Sequence, residues 1–162
     1  MKIISWNVNS VRARINYVKE VLQTEKPDFL CLQETKIIDN EFPSKSFTEL
    51  GYFSYFFGIP SYNGVAILSK KKLINIKKID LCNKLDARII SAETSDFDIM
   101  SVYVPAGGDT PDPKINPKFK HKLLFLDELN QLLKTQKKII VCGDLNVAPY
   151  EDDVWSHKNL IN

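Results

Sequence analysis

Ile139-Ile140-Val141-Cys142-Gly143-Asp144-Leu145-Asn146 is an apolar run that breaks into a polar cluster, and the same form occurs twice more in the chain. Ile3-Ile4 leads into Ser5-Trp6-Asn7, and Phe29-Leu30-Cys31-Leu32 leads into Gln33-Glu34-Thr35. Each apolar run reads as a buried strand, apolar on successive positions because both of its faces are covered. Each polar cluster then emerges at a strand's C-terminal end, the rim where layered α/β proteins bind ligands. One Asp or Asn in such a place is most often a turn former, its short side chain bonding neighbouring backbone. Three such clusters, two of them carrying a carboxylate, point to a site.

Outward from these runs the chain reads as alternating elements. Asn9-Ser10 offer a helix cap, and Val11, Ile15, Val18 and Leu22 recur at helical spacing until Pro27. The opening is therefore strand, helix, strand, as in a parallel pair. Residues 52–57, 64–69, 73–77, 88–94 and 97–104 are short β-branched or aromatic runs separated by Gly, Pro, Asn and Asp, the pattern of antiparallel meander strands. Residues 105–117 hold four prolines and two glycines and form a loop. A second amphipathic helix follows, with Phe119, Leu123, Leu126 and Leu129 or Leu133 on one side; 136–142 form a strand, and 152–160 start another helix. The fold class is α/β, a mixed sheet with helices packed against it.

The 162 residues fit one domain, and 44% apolar with 26% charged residues is the composition of a globular protein. A balance of 22 basic and 20 acidic residues excludes a strong polyelectrolyte, so any affinity for nucleic acid comes from local clusters such as Lys70-Lys71-Lys72, Lys77-Lys78, Lys137-Lys138 and the series Lys114, Lys118, Lys120, Lys122. Lys70 to Lys72 fall where a hairpin turn is expected. Cys31, Cys82 and Cys142 have no spacing that suggests zinc or a disulfide framework, and read as inert thiols. No run has the length of a membrane span, and the apolar start is too short for a signal peptide, so a cytoplasmic protein without membrane partners is expected.

Two carboxylates and two carboxamides on one rim suit a hard divalent cation beside a phosphate, because Mg²⁺ takes oxygen ligands and few of them from protein. Glu34 is the strongest metal ligand, following an apolar strand and flanked by the polar Gln33 and Thr35. Asn7, one strand over, either binds the cation through water or holds a phosphate oxygen. Phosphodiester cleavage needs a group for the attacking water and help for the leaving oxygen, and Asp144 suits either task. If the backbone stays extended, Asn146 lies on the same side as Asp144, where it holds that Asp or donates to phosphate.

Trp6-Asn7-Val8-Asn9 with Arg12, then Leu32-Gln33-Glu34-Thr35-Lys36, Asn63-Gly64-Val65-Ala66, Val102-Tyr103-Val104-Pro105 and Gly143-Asp144-Leu145-Asn146-Val147-Ala148-Pro149 together resemble the exonuclease III family of DNA-repair nucleases. Asp153-Val154-Trp155-Ser156-His157-Lys158 also looks like its bacterial members. The resemblance implies a four-layer α/β/β/α sandwich, the endonuclease/exonuclease/phosphatase fold. It implies a Mg²⁺-dependent enzyme, Mn²⁺ being an alternative, that cuts double-stranded DNA 5′ to abasic sites and works at 3′ ends. It further implies Asn7, Glu34 and Asp144 around the metal, Tyr103, Asp144 and Asn146 in catalysis, and Asn7, Arg12, Lys36 and Asn146 against phosphate or DNA.

The chain also departs from that family. Pro105-Ala106-Gly107-Gly108 stands where Pro-Asn-Gly is frequent. A further catalytic aspartate and a terminal Asp-His pair have no counterpart, and His121 and His157 read as surface or packing residues. Residues 1–162 are thus expected to form an incomplete, N-terminal part of the domain with C-terminal sheet elements missing. Such a part exposes a sheet face, pairs with a complementary C-terminal fragment or with itself, and is weakly active or inactive alone. The competing readings are a catalytically dead fragment or split enzyme, and a phosphoesterase acting on a phospholipid head group or an inositol phosphate.

Overall fold

The computed structural model describes residues 1–135 and 138–154 together with Ser156 and Lys158. In chain order the elements are β1 (Ile3–Asn7), α1 (Ile15–Thr24), β2 (Phe29–Gln33), α2 (Ser44–Thr48), β3 (Phe53–Phe57), β4 (Val65–Ser69), β5 (Ile74–Ile79), β6 (Ile89–Glu93), β7 (Asp98–Tyr103), α3 (Pro117–Lys134) and β8 (Ile139–Asp144). Single 3₁₀ turns lie at Asp39–Glu41 and Glu151–Asp153. They build two four-stranded sheets, ordered β1-β2-β4-β3 and β5-β6-β7-β8. Each sheet has one parallel pair at an edge, β1 with β2 and β7 with β8, joined through a helix, and antiparallel pairs elsewhere.

Period-two alternation divides the apolar side chains into three layers of core. Leu30, Leu32, Ala66 and Leu68 face outward from the first sheet and bury Val18 and Leu22 of α1. Phe29, Cys31, Val65 and Ile67 face inward and meet Ile90, Ala92 and Ile99 of the second sheet. Ile89, Met100 and Val102 face outward on the far side under Phe125 and Leu129 of α3. The expected α/β/β/α sandwich is therefore present, and β2 and β4 are buried along their whole length.

Among the described residues the expected exposed sheet face is not found, because both sheets are present and their inner faces cover one another. Each sheet has two edge strands, β1 and β3 in the first and β5 and β8 in the second; β1 and β8 lie side by side, and β8 is half-buried throughout. No described helix is long and apolar enough to cross a membrane.

Local departures have local causes. α1 does not begin at Asn9-Ser10; both have left-handed backbones, φ 43° and 86°, and the N–H groups of Ser10 and Val11 go to the carbonyls of Glu34 and Thr35. The helix starts a turn later, at Ile15, and ends at Thr24, short of Pro27. In α3 Leu129 is buried with Leu126 and Leu133 packed beside it, as expected, whereas Leu123 is 43% exposed and Phe125 is buried in its stead. Asn116 caps that helix by accepting from the N–H groups of Lys118 and Phe119, with Pro117 at its first position. Of the helix expected over 152–160, Asp152 and Asp153 lie in the 3₁₀ turn and Lys158 is helical, while Trp155, His157, Asn159 and Leu160 lie outside the described residues, as do Gln136 and Lys137 of the expected strand start. Cys31 is buried and Cys142 half-buried, and a hydrogen bond between the two thiols lowers that of Cys142 and raises that of Cys31.

Phe125 is fully buried between α3 and the outer face of the second sheet. Phe125→Ala should cost about 3–5 kcal/mol through lost burial and a cavity, read as a lower urea midpoint at unchanged slope.

Candidate active site

The polar clusters converge where β1, β2 and β8 end. Asn7 closes β1, Glu34 follows β2 and Asp144 closes β8. The Asn7 carboxamide nitrogen donates to Glu34 Oε1 at 2.8 Å and to Asp144 Oδ2 at 2.8 Å, so two carboxylates from different sheets meet at one amide. The Asn7 oxygen accepts from the Asn9 N–H at 3.1 Å. Lys36 places its ammonium 2.8 Å from Glu34 Oε2 and 2.6 Å from Asn9 Oδ1.

Glu34 and Lys36 are held at φ 51° and 52°, left-handed values that non-glycine residues seldom adopt. A backbone clamp holds them there: the N–H groups of Thr35 and Lys36 donate to Gly64 and Asn63 carbonyls. Gly64 has to be glycine, since φ is +89° and an added Cβ would stand 2.2 Å from Thr35 Oγ1.

Tyr103, the last residue of β7, reaches across and donates its hydroxyl to Glu34. Burial and that bond push the phenol up to about 12, so it is a proton-bearing donor at neutral pH. For Glu34, burial works to raise the carboxyl, but bonds from Asn7, Lys36 and Tyr103 outweigh it and hold the group below the ordinary value.

Asn146 is not where an extended backbone would put it. Its φ is 49°, and the chain turns: its N–H donates to Asp144 Oδ1 at 3.1 Å, while its carboxamide donates to the Val104 carbonyl at 2.8 Å. The turn fixes Asp144 through backbone, as short polar side chains commonly do. A cleft here is lined by Asp144, Asn146 and Asp153. Arg12 is not brought to this group; it points to Glu41 at 3.4 Å on an exposed surface.

Sequence reasoning missed Arg88 and Asp86. The Arg88 guanidinium lies over the Tyr103 ring, 4.8 Å from its centroid, donates to the Tyr103 carbonyl at 3.2 Å and is paired with Asp86. Both are largely buried at 12% and 18% side-chain exposure, and a close pairing of Asp and Arg in an otherwise apolar strand entry was the available signal. His121 packs edge-on against Phe125, with burial lowering its pKa, which is the packing role expected.

Two carboxylates converging beside an amide and a phenol fit a hard cation that keeps most of its coordination for water and phosphate. Among the described residues no group of three or more His, Cys, Asp or Glu offers a denser cage.

The model of the Endonuclease/Exonuclease/phosphatase family matches residues 4–161. The chain belongs to this family. Over 164 residues it is 32% identical to the exodeoxyribonuclease III of Haemophilus influenzae, covering 95% of this chain and 60% of that protein. Among solved structures, an AP endonuclease from Archaeoglobus fulgidus superposes with a TM-score of 0.90 at 36% identity, over 100% of this chain and 63% of that one. The 3′ phosphatase NExo (D146N) from Neisseria, bound to product DNA hairpin, superposes with a TM-score of 0.88 at 30% identity, over 98% of this chain and 63% of that one. The chain thus spans about three-fifths of the length of these family members, the partial coverage that its resemblance to their N-terminal part implies.

Two measurements check the electrostatics of this family's site as it stands in the chain. Ultraviolet titration should show one of the six tyrosines ionising near 12; that step should vanish in Tyr103→Phe and move down in Glu34→Gln, where the acceptor charge is gone. Because the folded pKa of Glu34 lies below its ordinary 4.5, the stabilisation it supplies is complete above that pH and lost as pH falls through the folded value. Urea midpoints of wild type and Glu34→Gln should therefore differ most near neutrality and converge in acid.

Proposed function

We propose that the chain supplies the metal- and phosphate-binding part of a Mg²⁺-dependent DNA-repair nuclease that hydrolyses phosphodiesters 5′ to abasic sites and at 3′ ends, with Mn²⁺ as an alternative ion. The observation that carries this reading is the convergence of Glu34 and Asp144 on the Asn7 amide. Support for DNA as substrate comes from the names of the similar proteins, an exodeoxyribonuclease, an AP endonuclease and a 3′ phosphatase bound to a DNA hairpin.

In this reading Glu34, with Asn7 and Asp144 beside it, holds the cation. The bound ion supplies charge stabilisation to the phosphoryl oxygens in the transition state. Asp144, fixed by the Asn146 N–H, orients an attacking water and accepts its proton. Tyr103 keeps its proton and so donates to an oxygen rather than attracting one. The Asn7 amide spends both its N–H bonds on holding the two carboxylates, and the Lys36 ammonium, which keeps one N–H beyond its bonds to Glu34 and Asn9, serves a phosphate oxygen. Arg12 is proposed to contact DNA outside this group, since it is exposed near the same end of β1.

The further catalytic aspartate and the Asp-His pair that the resemblance implies have no counterpart among residues 1–162, and loss of one general acid or base commonly costs about 10²–10⁴-fold in rate. The chain is therefore proposed to act weakly alone and to gain activity from a complementary polypeptide that extends the sheets beyond β1 and β8.

Mg²⁺ titrated calorimetrically should bind the chain, and Glu34→Ala should abolish the heat. A duplex oligonucleotide with one abasic analogue should be cut slowly in Mg²⁺ and not in EDTA, and faster when the C-terminal two-fifths of a similar nuclease is added. Mg²⁺ binding indifferent to Glu34→Ala, with no cutting in either mixture, would sink the reading.

A further inference from the structure

At the end of the sandwich opposite the carboxylates the two sheets part and a cavity of about 570 Å³ opens. Its position follows from the register: Phe29 starts β2 and Phe97 precedes β7, whereas Glu34 and Tyr103 lie at the other ends of those strands. Five residues of strand put roughly 15 Å between the two ends. The floor is apolar and aromatic. Phe29 and Phe97 meet edge to face at 5.9 Å, and Leu73 is buried beside them.

Lys70, Lys71 and Lys72 form one rim. A lysine triplet in a turn is ordinarily a solvated surface; here it borders an opening into the core between the sheets. The Lys70 ammonium is used on the Lys26 carbonyl. Those of Lys71 and Lys72 make no ion pair or hydrogen bond with the described residues. Two aspartates also line the cavity, and both are engaged: Asp28 accepts from the Lys2 N–H at 2.7 Å, and Asp96 from the Ser95 hydroxyl at 2.8 Å. Three ammonium groups against two carboxylates leave a net positive charge beside an aromatic floor, with Asp28 feeling Lys70 and Lys71.

We propose that this cavity binds a nucleoside monophosphate, with its ring against Phe29 and Phe97 and its phosphate on Lys71 and Lys72. The volume lies in the range of small-molecule sites. Aromatic edges accept a planar ring, and two adjacent ammonium groups match a phosphate dianion better than a single carboxylate. The choice of a nucleotide among amphipathic anions rests on the nuclease reading, because removal of residues from 3′ ends releases nucleoside monophosphates. The cavity and its charge do not depend on it.

Calorimetry in EDTA tests this without turnover, so failure of the nuclease reading and failure of this one are distinguishable. Deoxyadenosine monophosphate should bind saturably, and deoxyadenosine and inorganic phosphate each more weakly. The double variant Lys71→Ala/Lys72→Ala should weaken the nucleotide by about tenfold or more with an unchanged urea midpoint, while Glu34→Ala leaves it unaltered. The proposal is overturned by an absence of saturable binding, or by binding that survives loss of the two lysines and disappears in Glu34→Ala.

Discussion

One carboxamide ties the two sheets together where the chemistry sits. Asn7 donates from one nitrogen to a carboxylate that follows β2 and to another that ends β8, 2.8 Å each. That geometry is met only if the sheets hold a fixed offset along the strands. A buried polar thread behind the site sets the offset: Gln33, 1% exposed, donates to Ser101 Oγ in the second sheet at 3.1 Å, and Ser101 Oγ donates back to the Leu32 carbonyl at 3.2 Å. Sliding one sheet past the other would leave these buried groups unpaired, at a cost of about 1–3 kcal/mol for each. Gly143 adds a close approach, since a Cβ there would stand 2.0 Å from the Val102 carbonyl. β8 therefore lies tight against β7, and Asp144 is delivered next to Tyr103.

The same logic explains a gradient along the inner faces. Ile3, Ser5 and Asn7 follow one another on β1, Phe29, Cys31 and Gln33 on β2, Ile99, Ser101 and Tyr103 on β7, and Ile140, Cys142 and Asp144 on β8. Each strand runs from apolar through small and weakly polar to a functional group. The apolar end supplies the burial that stabilises the sandwich, and the polar end is left to the site. Separating the two tasks along the strand lets strained backbone at Glu34, Lys36 and Asn146 persist, since the core that over-determines it is only two residues away.

The strand ends were legible in the sequence, because an apolar run that breaks into Asn, Glu or Asp marks where a buried strand reaches the rim. The parallel opening pair and the meeting of Asn7, Glu34 and Asp144 followed from that, whereas the two-sheet layering followed from the family resemblance. What was not legible depended on φ or on tertiary pairing. Asn9, Ser10 and Asn146 looked like a cap and an extended strand end, but their left-handed backbones serve the clamp around Glu34 and the turn around Asp144. On α3 Leu126, Leu129 and Leu133 were legible and Leu123 was not, because several leucines at mixed spacing allow more than one face and the sheet beneath selects Phe125. Arg12 was assigned to phosphate or DNA by the family resemblance and lies outside the carboxylate group, whereas Arg88, far along the chain, reaches it through the Tyr103 ring.

The open edges bear directly on the strength of the site. Asn7 and Asp144 stand on β1 and β8, edge strands of their sheets among the described residues, and β8 is half-buried where β2 and β4 are fully buried. Charge interactions there act through a medium closer to water than to protein interior, which weakens each of them several-fold relative to a covered site. A strand added to each edge would exclude water from the Asn7–Asp144 side and strengthen the bonds already in place, without moving a residue of this chain. The complementary polypeptide proposed above would therefore act on the groups described here as well as through any side chains it brings.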